Sequence, residues 1–172
     1  MAKIGIITIW AERGQGILSR TYRDALVDLG HEVFVFSRTG FVYGQPIQQS
    51  DGELKVPNLY LYPKYEIPTS AIKLWANTNG LKVVLTNEEY DFSLPAALRE
   101  IGVKTIAYVD FIRNDWANPL RDTYDQLWTS TNRTHKLLNS LGLSEITNYT
   151  GCGIHPRMPY LGNKEPKYDY FH

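Results

Sequence analysis

Cysteine is nearly missing from this chain: Cys152 is the one thiol in 172 residues. A single thiol excludes an intramolecular disulfide framework and a thiolate metal cluster, and it fits a reducing, cytoplasmic setting. Net charge is missing too. Eighteen basic and eighteen acidic side chains cancel, which removes the overall electrostatic signature of a nucleic-acid-binding protein. No run of about 18 apolar residues occurs, and the first nine residues read as a strand rather than a basic segment leading into an apolar one, so no membrane-spanning helix is expected. Metal chemistry lacks its usual ligand patterns. His31, His135, His155 and His172 fall at no ligand spacing, and no D-x-D pair is there to hold a divalent cation on a nucleotide; no metal is expected.

What is present is an ordinary globular mixture, 43% apolar and 21% charged, in a chain long enough for one domain with a buried core. Aromatic residues reach 13%, with twelve tyrosines and four tryptophans. Most of these rings belong in a core, while Trp10 and Trp116, beside loops, also offer flat faces suited to a sugar or a base.

Short apolar runs, rich in β-branched and aromatic residues, predict strands at 3–9, 32–37, 58–62, 82–86, 104–109 and 126–130. Several are near-continuously apolar, as strands covered on both faces are. Between most of them lie helical stretches. Over 17–29, Leu18, Tyr22, Ala25, Leu26 and Leu29 recur at spacings of three and four, making one buried stripe that Gly30 ends. Further helices are expected over 69–79 (capped by Thr69 or Ser70), 93–101 (capped by Ser93, with Pro95 in the first turn) and 132–141 (opening on Thr131 or Asn132). Repeated strand, helix and glycine-ended turn predict an α/β domain: a doubly wound, Rossmann-like parallel sheet with helices on both faces. Residues 38–57 break the rhythm as an excursion over the active edge or a small hairpin. Residues 1–150 form the domain; 151–172, with Pro156, Pro159 and Pro166, read as a linker followed by the start of a further domain.

In such a sheet ligands bind at the carboxyl ends of the strands, where strand order reverses. The segment Glu12, Arg13, Gly14, Gln15, Gly16 lies at that edge. Its glycines let a ligand approach bare backbone, the amides opening the next helix donate to phosphate or carboxylate oxygens, and Glu12 and Arg13 reach polar groups of the same ligand. It is not a dinucleotide fingerprint: Ser19 stands at the third glycine of G-x-G-x-x-G, and no acidic residue ends the second strand. Arg38 there leaves only an opening for the phosphate of NADP. Glu88 and Glu89 follow the fourth strand, one of them a candidate for the cleft and the other for solvent. Asp110 ends the apolar run IAYV and is the candidate catalytic carboxylate, with pairing to Arg113 as its structural alternative.

The run KIGIITIW…GQGILSRTYRDALVDLGHEVFVFS resembles the opening of family-four glycosyltransferases of the GT-B fold. YDQLWTSTNRTHKLLNSLG is similar to that family's strand, serine, helix segment, and ITNYTGCGIHPRMPY to its interdomain linker. The resemblance implies the amino-terminal, acceptor-side half of a transferase. A nucleotide-sugar would be the donor substrate, with no cofactor or metal; the acceptor is open, and the carboxyl-terminal domain of the same protein would be the partner. Similar enzymes commonly touch membranes peripherally. By resemblance, Gly14, Gln15 and Gly16 would lie against the donor's phosphates or the acceptor; from the residues themselves, catalysis is expected at Asp110, where the family often has a histidine, and donor or acceptor binding also by Glu12, Arg13, Glu88 and Arg113. A non-catalytic sugar- or nucleotide-binding module and an NADP-dependent oxidoreductase domain are the alternatives.

Overall fold

The computed structural model describes residues 1–11, 13–42, 45–46 and 55–151, with the backbone alone described at 41, 42, 45 and 46. Glu12 and nearly all of the expected linker therefore lie outside the described residues. In chain order the elements are β1 (Lys3–Thr8), α1 (Gly14–Asp28), β2 (Glu32–Arg38), β3 (Phe41–Val42), β4 (Gln45–Pro46), β5 (Leu59–Tyr62), α2 (Thr69–Asn79) and β6 (Val83–Asn87). They continue through α3 (Ser93–Glu100), β7 (Lys104–Tyr108), a 3-10 turn (Asn114–Trp116), α4 (Ala117–Thr123), β8 (Gln126–Thr129), α5 (Asn132–Ser140) and β9 (Thr147–Tyr149).

Seven strands form one sheet in the order β5-β2-β1-β6-β7-β8-β9, and every pairing in it is parallel. This is the Rossmann-like α/β architecture expected from the alternation of apolar runs and amphipathic stretches. Register explains why the inner strands are apolar on both sides. Ile7, Phe36, Thr86, Ala107 and Leu127 form one cross-strand row. On that face Ile7 and Phe36 pack with Ile72, Trp75, Leu94 and Leu98 of α2 and α3, and Ala107 and Leu127 pack with Leu120 and Leu138 of α4 and α5. The neighbouring row, Ile6, Val35, Leu85 and Ile106, belongs to the opposite face, where Ile6, Leu85 and Ile106 meet Leu18, Tyr22 and Leu26 of α1. Because helices cover both faces, both rows are mainly apolar, and the polar member Thr86 is hydrogen-bonded to the Tyr124 hydroxyl at 2.9 Å.

Several expectations shift. α1 begins at Gly14, not near residue 17, so the glycine pair forms the first helical turn instead of a preceding loop. Ser93 does not cap α3: the Asp91 carboxylate accepts both the Ser93 N–H (3.0 Å) and its hydroxyl (2.6 Å). Pro68, not Thr69 or Ser70, occupies the cap position of α2. Thr131 does cap α5, accepting the Thr134 N–H at 3.1 Å. The excursion after β2 contains the antiparallel β3–β4 hairpin. Part of the stretch similar to a linker is an element of the sheet, because β9 pairs with β8 and forms its edge. Among the described residues no helix is long and apolar enough to cross a membrane.

Candidate functional site

Strand order reverses between β1 and β6. From β1 the chain moves outward to β2 and β5, and after returning to β6 it moves the other way, so the loops leaving these two neighbours part and open a crevice. A cleft of about 110 Å3 lies there, with Arg13, Gln15, Asn87, Glu88, Glu89 and Tyr90 in its walls.

The floor of the cleft is a buried polar network joining three elements. The Asn87 amide donates to the Gln15 main-chain carbonyl (2.9 Å) and to Ser19 Oγ (2.8 Å), and Ser19 Oγ donates to Thr8 Oγ1 at 2.7 Å. The Gln15 side chain returns a hydrogen bond to the Asn87 carbonyl. The end of β1, the start of α1 and the end of β6 are thereby clasped together, and the two bonds made by Ser19 Oγ are buried, in a low-dielectric setting where they count most. Gly16 belongs to this clasp. A Cβ there would come within 2.0 Å of the Ala11 carbonyl oxygen, so the residue is glycine to let the helix start sit against the preceding loop. Gly14 differs: nothing lies within 4 Å of where its Cβ would be. Of the two glycines expected to admit a ligand to the backbone, Gly14 alone is open to one.

The charged groups divide into a committed pair and an uncommitted trio. Arg38 and Glu89 form a buried ion pair. The Arg38 guanidinium also lies 4.9 Å from the Tyr65 ring centroid, and Glu89 accepts the Asp91 N–H at 2.9 Å. Burial pushes the Glu89 carboxyl upward, and Arg38 and the Asp91 N–H draw part of that back. Held this way, Arg38 braces the cleft wall and is not turned out to receive a cofactor phosphate.

Glu88 has the opposite character. Its backbone sits in the left-handed region at φ 52°, a conformation that costs a side-chain-bearing residue about 1 kcal/mol or more and persists where surroundings enforce it. The side chain is half-buried in the cleft wall. Desolvation raises its carboxyl above the usual range, the Asp110 carboxylate raises it further, and Arg13 opposes both. Asp110 and Arg13 thus both act on the Glu88 carboxyl. Glu88 and Asp110 supply carboxylates and Arg13 a cation at the helix mouth, an arrangement able to accept a proton from a hydroxyl and to hold an anion nearby.

Asp110 and the remaining candidates are not among the residues lining the cleft. Asp110 is exposed, and its main-chain carbonyl accepts Thr134 Oγ1 at 3.1 Å. Arg113, considered as its partner, instead forks onto Asp115 at 3.1 and 2.9 Å. Trp10 is a core residue at 1% exposure; Trp116 sits at the centre of an aromatic cluster on the rim. Sequence reasoning left unplaced the Arg38–Glu89 brace and the rings of Tyr90, Phe92 and Phe111. The available signal was the recurrence of aromatic residues just after strand ends. Among the described residues no three His, Cys, Asp or Glu side chains converge as metal ligands.

No protein-family model matches this chain, and no curated protein matches it significantly.

Proposed function

We propose that this chain is the acceptor-side half of a glycosyltransferase of the GT-B type, binding an acceptor hydroxyl in the switch-point cleft. One observation carries the reading: Glu88, held in a left-handed conformation in the cleft wall, has a carboxyl made more basic by burial and by Asp110. A hydroxyl is a poor nucleophile until a neighbouring base takes its proton, and a base with a raised pKa does this better near neutrality. In the reaction the acceptor oxygen bonds to the anomeric carbon of a nucleotide-sugar as the bond from that carbon to the diphosphate oxygen breaks. Glu88 takes the hydroxyl proton, Asp110 helps orient the acceptor, and the diphosphate departs with the electron pair. Arg13 and the amino-terminal end of α1 contribute positive potential on the same side of the cleft.

The test is nucleoside-diphosphate release from UDP- and GDP-hexoses by the full natural polypeptide. Glu88→Gln lowers kcat by ~10²–10⁴-fold while donor affinity stays near that of the parent. Activity of the parent falls as pH drops through the raised Glu88 pKa, since the protonated carboxyl is no base, and the substitution removes that limb. Donor binding without turnover would turn the assignment to a binding module.

A further inference from the structure

The loops after β6 and β7 carry a feature that the proton-transfer chemistry leaves unused. Tyr90 belongs both to the cleft wall and to the aromatic cluster, where it stacks on Trp116 with centroids 4.7 Å apart and planes 29° apart. Phe111 meets the same indole edge-on at 5.8 Å and 88°, and Phe92 meets it at 6.1 Å and 73°. The Arg113 guanidinium lies 5.6 Å from the indole centroid and is held by its fork onto Asp115. Trp116 is therefore a fixed hub. The rings it leaves turned outward are Phe111, 58% exposed, and Tyr90, 44% exposed.

Each of these rings is close in sequence to a carboxylate, that of Glu88 in the cleft wall or of the exposed Asp110. Phe111 follows Asp110 directly, and Tyr90 is two residues beyond Glu88. We propose that Phe111 and Tyr90, with Glu88 and Asp110, form a subsite for a pyranose ring, so that the acceptor is itself a sugar; this rests on reading the cleft as the acceptor site. A pyranose has a face of weakly electropositive C–H groups and a rim of hydroxyls. The C–H face matches the negative face of an aromatic ring, and the hydroxyls donate to the carboxylates. A planar base also stacks on aromatic rings, but Phe111 stands nearly perpendicular to Trp116 and Tyr90 nearly parallel to it. The two exposed rings are thus steeply inclined to one another. Carboxylates beside them favour a ligand whose rim carries several hydroxyl donors over a flat base, which carries few.

The experiment follows the Trp116 indole N–H in ¹H–¹⁵N spectra, assigned through Trp116→Phe. The probes are the methyl α-glucopyranoside, α-mannopyranoside and β-galactopyranoside, with sorbitol and adenosine as controls. At least one pyranoside shifts the Trp116 signal saturably, sorbitol and adenosine do not, and Phe111→Ala weakens that binding roughly three- to tenfold with an unchanged melting midpoint. Inert pyranosides, an equal response to sorbitol or adenosine, or an unaffected Phe111→Ala variant would overturn the subsite. Binding needs no donor, so the two proposals fail separately. Saturation by a pyranoside that no nucleotide-sugar then glycosylates refutes the transferase and leaves the subsite standing, while transfer to an acceptor lacking a sugar ring does the reverse.

Discussion

Gly14 and Gly16 are alike in sequence and opposite in role. Gly16 is pressed against the Ala11 backbone, with 2.0 Å between the position a Cβ would take and the carbonyl oxygen, and backbone atoms cannot swing aside as a flexible side chain can. Gly16→Ala therefore costs about 1–3 kcal/mol, the usual range for overpacking, or more if α1 must shift. Gly14→Ala meets open space in the first helical turn and leaves stability unchanged or raises it by up to about 1 kcal/mol. Urea denaturation of both variants checks the contrast, and equal behaviour would mean that the clasp does not fix the start of α1. Two glycines before a helical stripe were visible in the sequence. Which of them faces protein and which faces solvent depends on how the residues between strand and helix fold back, and no spacing rule encodes that.

Arg38 and Glu89 close the cleft wall between the end of β2 and the loop after β6, elements that are not neighbours in the sheet because β1 lies between them. Their side chains are 10% and 4% exposed, so removing one partner leaves a charge in low dielectric. Arg38→Met should cost about 3–5 kcal/mol, and adding Glu89→Gln should restore part of it, since the double variant buries no unpaired charge. If the single and double variants unfold alike, the pair contributes no coupling and the brace is not real. The elements themselves were unevenly legible. Strands β1, β2, β6, β7 and β8 announce themselves through apolar runs, and α2 through its stripe and Gly80, whose φ is 64°. α4 has seven residues with Pro119 inside them, and β9 has three mostly exposed ones. Neither is long enough to display a period, and both are fixed by the sheet and helices they pack on.

The cleft draws its side chains from positions far apart in sequence. Asn87 is bonded to Ser19 across 68 residues and to Gln15 across 72, which is why the fold was readable from local pattern and the site only as a set of strand ends. That assembly stands at the middle of the sheet. β1 is buried from its second residue onward, and β6 likewise, while the edge strands β5 and β9 keep exposed positions and pair on one side only. Local opening begins where few apolar contacts must be given up. In native-state hydrogen exchange the hydrogen-bonded amides of β1 and β6 should therefore exchange only through global unfolding. Those of β5 and β9 should exchange through smaller openings, roughly 2 kcal/mol or more below the global value. Uniform protection across all seven strands would contradict this, and early exchange in β6 would do so more sharply. The left-handed backbone of Glu88 follows directly on β6, and its N–H donates to the Tyr108 carbonyl of β7 at 3.4 Å. A strained conformation survives only where its surroundings hold it, so a carboxylate set just after a buried central strand is held in position.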